Sequence, residues 1–158
     1  MSSPEPVQLL AQAADEVLGT MYFSFVDPIA NLDDLMDGPV LESGLKGHIE
    51  FTGPTAGSMD SYCGEGPTRV LSANFLGEDE DEVDQEVIHD AFKELTNMIV
   101  GRFLALIEPE KVCDLGLPVV TEFKNLDLKE FLGRPDTALI LDSGEGAIVL
   151  EIRLETAS

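Results

Sequence analysis

The sequence has no tryptophan, two tyrosines, two cysteines and two histidines among 158 residues. Cys63 and Cys113 form no C-x-x-C pair. Two isolated cysteines are expected as buried, reduced thiols. His48 and His89 are too few and too distant in sequence for a zinc site. No metal held by this chain is expected. Basic residues are scarce as well: 9 Lys and Arg stand against 31 Asp and Glu, for a net charge of −22. Such a surface repels phosphate backbones and anionic lipids, so nucleic acid and membrane surfaces are poor partners. No apolar run approaches the roughly 18 residues of a membrane span. The start, MSSPEPVQLL, lacks the basic residues and apolar centre of a signal peptide. A cytoplasmic location is expected. There is no low-complexity stretch and no evident linker, so residues 1–158 read as one domain.

Hydrophobic residues make up 44% of the chain, enough for a sizeable core. Val7, Leu10, Ala11, Ala14, Val17, Leu18 and Met21 recur at helical spacing and predict a helix over 5–23, with Pro4 and Pro6 at its start. The following VDPIANLDDLMDGPV reads as an ordered connector with one helical turn. Residues 40–51 predict a strand, with 57–63 as its hairpin partner. Gly44 and Gly47 mark flexible strand positions or turns. A short helix over 67–77 starts at Pro67 and stops at Gly77. The acidic run of residues 78–86 leads into a longer helix, 83–107, and reads as its first turn, where acids favour the positive end of the dipole. Residues 112–123 predict a strand with Pro118 at an edge or bulge. TALILDS and AIVLEIRLE, joined around SGEG, predict a closing hairpin. The expected fold is α+β, an antiparallel sheet packed with two long helices and a shorter one.

The long helix carries an unusual edge. At about 100° per residue, Asp90, Glu94, Asn97 and Gly101 fall within a stripe of about 60°. Ile88, Leu95, Ile99 and Leu106 lie on the opposite side, with Phe92 and Phe103 just beyond. Glu94 and Asn97 therefore point outward on adjacent turns. Gly101 costs roughly 1 kcal/mol of helix propensity relative to Ala, which makes sense where another backbone must come close. Glu and Asn three apart are not rare by themselves. With 17 Glu and 4 Asn in the chain, chance supplies roughly 0.4 such pairs. A second pair, Glu122 and Asn125, follows a predicted strand and lacks the flanking acid and glycine, since Pro118 and Lys129 stand there.

The full register, DAFKELTNMIVGRF, resembles the signature of the CheC, CheX and FliY phosphatases of bacterial chemotaxis: an Asp or Ser, three residues, Glu, two residues, Asn. The continuation E-x-x-N-x-x-x-G is similar to the CheX branch. GLPVV after the helix and AADEVLGTMYF near the N-terminus also resemble that family. The resemblance implies a CheX-like domain and a phosphatase acting on a phosphorylated response regulator of the CheY type. CheC-type members carry two active helices. Here Glu16 matches Glu94, but Gly19 stands where Asn97 would be, so the first helix lacks its amide. That departure is similar to the one-site, dimer-forming CheX branch, and implies a homodimer.

The chemistry accounts for these residue types. Hydrolysis of an aspartyl phosphate needs a positioned water and an offset to the charge on the phosphoryl oxygens. An amide such as Asn97 offers donor and acceptor, and orients a water without adding negative charge. The resemblance implies that Glu94 pairs with a lysine beside the regulator's phosphorylation site. Asp90 contacts the partner or braces the surroundings of Glu94, and Gly101 admits the partner's close approach. Mg2+ is expected in the regulator's own acidic pocket. The alternative is an adaptor that keeps the fold and holds a regulator without hydrolysis. A flagellar-switch structural component is a third reading, disfavoured because no appended domain is visible.

Overall fold

The structure is a computed structural model, described for residues 5–35 and 38–155 apart from the Leu32 side chain. Pro4, Met36 and Asp37 fall outside the described residues. Helix α1, Pro6–Met21, begins with proline in its first turn and a capping box between Glu5 and Gln8. Residues Asp27–Pro28 form the short strand β1, and a single 3-10 turn at Leu32–Asp34 follows in the connector. Strands β2 (Val40–Thr52) and β3 (Gly57–Gly64) make the expected hairpin. Helix α2 covers Glu65–Leu76 and stops at Gly77, whose φ of 68° is left-handed. Helix α3 runs Gln85–Ile107. Strands β4 (Asp114–Leu115) and β5 (Val119–Asp127) come next, then the one-turn helix α4 (Leu128–Leu132), and the hairpin β6 (Ala138–Asp142) and β7 (Ala147–Leu154).

All strand pairs are antiparallel, in the order β1-β6-β7-β3-β2, with β4 and β5 sharing the free side of β2. The fold is α+β. Three expectations need correction. The acidic run is not the first turn of α3: Glu80–Glu82 form a separate 3-10 turn and only Glu86 lies in the helix's first turn. The run ends instead in a cap, where Asp84 accepts the Val87 N–H at 2.9 Å. The strand expected over 112–123 is divided near Pro118, which has no N–H to give to a ladder. Helix α4 follows β5 where no helix is apparent from periodicity, because five residues are too few to show one.

Helices α1, α2 and α3 cover one face of the sheet. Leu10, Leu18, Ile49, Met59, Cys63, Leu95, Ile99, Phe103, Ile148 and Leu150 join in this larger core. Cys63 is buried there as expected, and burial pushes its thiol up to about 12, whereas Cys113 is half-buried. A smaller core on the other face joins Leu35, Leu41, Tyr62, Leu128, Phe131, Ile140 and Val149. Central β7 is therefore buried on both faces, which explains its continuous apolar run. The second face also holds two buried carboxylates, Asp60 and Glu151. Arg153 bridges them at 2.7 Å each, Arg134 donates to Glu151 at 2.6 Å, and His48 lies 2.6 Å from Asp60. Pairing of this kind is what lets charge be buried at all.

Candidate active site

The back of α3 is fixed to the sheet. Thr96 is fully buried and donates to the Phe92 carbonyl at 3.0 Å, so Ser61 donates to Thr96 Oγ1 at 2.8 Å. This contact requires glycine opposite. A Cβ on Gly47 would stand 2.4 Å from Thr96 Oγ1 and 2.6 Å from Ser61 Oγ. Gly44 is equally constrained, since its Cβ would stand 2.1 Å from the Cys63 carbonyl oxygen. Both glycines are thus points of close approach within the ladder, neither flexible positions nor turns.

With that face anchored, the opposite edge of α3 turns outward. Asp90 and Glu94 are exposed, and Asn97 and Gly101 are half-buried. The structure brings all four expected residues into one row along the helix. Among the described residues, no side chain engages Asp90, Glu94 or Asn97 by hydrogen bond or ion pair. A Cβ on Gly101 would meet only Leu115 Cδ1, at 4.0 Å. No packing within the described chain therefore demands glycine at 101. No group of three or more His, Cys, Asp or Glu among the described residues is arranged to hold a metal ion.

Helix α1 runs antiparallel beside this row. Glu16 is ion-paired with Arg102 of α3, and hydrogen bonds from Arg102 and then Gln12 hold its carboxyl below the usual range. It is committed within the chain, and Gly19 beside it offers no amide. At the other end of α1, Tyr22 donates its hydroxyl to the Ala91 carbonyl at 3.2 Å and stacks on Phe75 at 4.7 Å. Burial, and secondly the charge of Glu94, raise the Tyr22 phenol's pKa, which keeps it protonated as a donor. Glu122 and Asn125 lie exposed on β5. Asn125 holds a left-handed φ of 53° within β5, so the pair shares no helix edge and forms no row like that of α3. Tyr22 is a site neighbour that periodicity does not reveal. The available signal is composition: Tyr22, Phe23 and Phe25 are three of the chain's ten aromatics.

The model of the family described as chemotaxis phosphatase CheX matches residues 45–141, well over half of the chain and all of the outward row. The chain belongs to the CheX family. No curated protein matches the sequence. Among solved structures, the chemotaxis protein CheX from Vibrio vulnificus is 24% identical, with a TM-score of 0.72 over 98% of this chain and 99% of that one. A CheC-like superfamily protein from Shewanella sp. PV-4 is 25% identical, with a TM-score of 0.71 over 98% and 100%. A Borrelia burgdorferi structure is described as a CheX–CheY–BeF3–Mg2+ complex. It is 17% identical, with a TM-score of 0.64 over 96% and 99% of the two chains. The α+β fold of this CheX-family chain is thus shared with these structures over nearly the whole of each chain. No helix among its described residues is long and apolar enough to cross a membrane.

Proposed function

We propose that this chain is a cytoplasmic, single-domain phosphatase that hydrolyses the aspartyl phosphate of a CheY-like response regulator. The observation that carries the reading is the outward row on α3, where Glu94 and Asn97 stand unengaged on adjacent turns while the face behind them is locked by Thr96, Ser61 and Gly47. A rigid helix presenting two unspent polar side chains suits a site completed by a partner. The Borrelia complex supports the choice of partner, since its CheX is bound to CheY with BeF3 and Mg2+.

In this reading Glu94 pairs with a lysine of the regulator and sets the register of α3 over the phosphoryl group. Asn97 then accepts one hydrogen bond from the attacking water and aims its lone pair at phosphorus. The new P–O bond forms as the bond to the aspartyl oxygen breaks, giving inorganic phosphate and a free carboxylate. An amide has no useful basicity, so Asn97 positions the water without taking its proton. Mg2+ belongs to the regulator and offsets charge on the phosphoryl oxygens there. Asp90 supports the contact from one turn back, and Gly101 admits the partner's backbone.

The chain is also proposed to work as a homodimer. Val112, Leu117 and Val119 are exposed along the segment that forms the sheet's free side, an edge that a second copy can cover. The decisive variant is Asn97→Ala. It should lose at least about a hundred-fold in turnover, in line with losing a positioning or charge-stabilising group, while its affinity for a beryllofluoride-activated regulator stays at the wild-type value. Turnover unchanged in that variant contradicts the mechanism.

A further inference from the structure

The end of α1 carries a second feature of the same face. Tyr22 is buried, but its neighbours are not: Met21 is 41% exposed, Phe23 69% and Phe25 84%. Single exposed apolar residues are ordinary. Two phenylalanines within three residues, in a chain with only eight, are not. Phe23 also holds a φ of 51°, a left-handed conformation that side chains other than Asn and Asp rarely adopt. The backbone around it is well anchored. Ser24 N–H closes onto the Leu18 carbonyl at 2.9 Å, and Tyr22 is pinned between Phe75 and Ala91. The segment is held so that its rings point into solvent.

Its location gives the exposure a purpose. The Tyr22 hydroxyl bonds the carbonyl of Ala91, a buried residue of α3 next in sequence to Asp90, and Glu94 is close enough for its charge to act on that phenol. The bond places the aromatic end of α1 beside the Asp90 end of the row, an apolar segment next to an acidic one. We infer that Met21, Phe23 and Phe25 form an apolar anchor for the response regulator, docking on an apolar patch of its receiver domain next to the lysine that Glu94 engages. This rests on the phosphatase reading above. Charge selects the occupant. A second copy of this chain would bring its own acids against Asp90 and Glu94 in a molecule of net charge −22, whereas a receiver surface with a lysine beside an apolar patch complements both halves. The anchor supplies affinity and partner selection, and Asn97 supplies the chemistry.

The test separates those two roles. Phe23→Gly relieves the left-handed backbone while removing the ring, and Phe25→Ser changes a side chain that is already in water, so the double variant keeps its fold. The probe is each CheY-like receiver domain of the source genome, activated with beryllofluoride and Mg2+ for binding and phosphorylated for turnover. The double variant should bind the activated receiver about ten- to a hundred-fold more weakly, the loss typical of removing aromatic anchors. Its kcat at saturating receiver should stay near wild type, and the loss should persist at high salt, where pairing by Glu94 is screened. Asn97→Ala should show the reverse, with kcat lost and binding kept. Wild-type affinity and KM in the double variant, beside an inactive Asn97→Ala, overturn the anchor and leave the phosphatase reading standing. A drop in the double variant's oligomeric mass without receiver also overturns it, because the rings would then belong to a second copy. Failure of wild type to bind any receiver removes both.

Discussion

At the scale of the residue, the site depends on what each side chain is free to do. Among the described residues, Arg102 engages Glu16 of α1, and no cation engages Glu94 of α3. Glu94 is left to find a cation elsewhere. Glu94→Lys should therefore weaken regulator binding by ten-fold or more, since a like-charge contact costs on the order of several kcal/mol. A regulator lysine changed to Glu should restore binding, and surface plasmon resonance reads both steps. Unchanged affinity in Glu94→Lys rules out the pairing. Gly101 gives a paired outcome. With only Leu115 near its absent Cβ, Gly101→Ala should raise unfolding stability by up to about 1 kcal/mol. If a partner's backbone uses that space, the same variant should bind the regulator less well. Denaturant unfolding and a binding isotherm measure the two together, and tighter stability with unchanged binding would show that the glycine serves no partner. The row itself is legible in the sequence because helical periodicity is local: four residues at spacings of four, three and four must share an edge wherever the helix packs. Tyr22 and Phe23 are not legible in that way. One is defined by a hydrogen bond to a carbonyl 69 positions away, and the other by a backbone conformation unusual for its residue type.

At the scale of the element, α3 is positioned by its approach to the central strands. Ser61 and Thr96 meet over Gly47, and this contact fixes the helix's rotation about its axis and so the direction of the row. Gly47→Ala inserts a methyl group into that contact. It should destabilise the fold by about 1–3 kcal/mol, as overpacking does, and should lower turnover by tilting α3. Chemical denaturation together with the phosphatase rate checks it; a stable, fully active variant would show that the close approach does not set the site. The sequence displays β2, β3, β6 and β7 because a strand repeats every two residues, and α1, α2 and α3 because each runs for several helical turns. It conceals α4 and β1, which are too short to repeat. It also misleads at residues 80–86. Acids there suit a helix start in general, but the chain spends most of them on a separate 3-10 turn and uses Asp84 alone as the cap.

For the molecule as a whole, a net charge of −22 opposes folding by self-repulsion. Raising NaCl from about 0.01 to about 1 M shortens the screening length from roughly 30 to roughly 3 Å, so the melting temperature at neutral pH should rise. A fall on adding salt would mean that specific ion pairs outweigh the general repulsion. Acid brings a separate effect at the second face of the sheet. Burial pushes the Asp60 carboxyl up, but hydrogen bonds from His48 and Arg153 more than offset it, and its pKa ends below the ordinary value. A carboxyl that binds its proton more weakly when folded stabilises fully above its unfolded value, about 3.9, and loses that contribution as pH falls through the folded value. Asp60→Asn should therefore flatten the acid limb of the stability curve below about pH 4. A limb as steep as wild type would place the acid sensitivity elsewhere.

Catalysis by this chain shows itself in substoichiometric kinetics. A phosphorylated CheY-like regulator is mixed with Mg2+ and a small fraction of an equivalent of the protein, and inorganic phosphate is followed with time. The release rate should rise in proportion to protein added, continue through many turnovers, and return to the regulator's own rate with Asn97→Ala. Phosphate release that stays at the regulator's own rate, while the two proteins demonstrably bind, would contradict it and make the chain an adaptor.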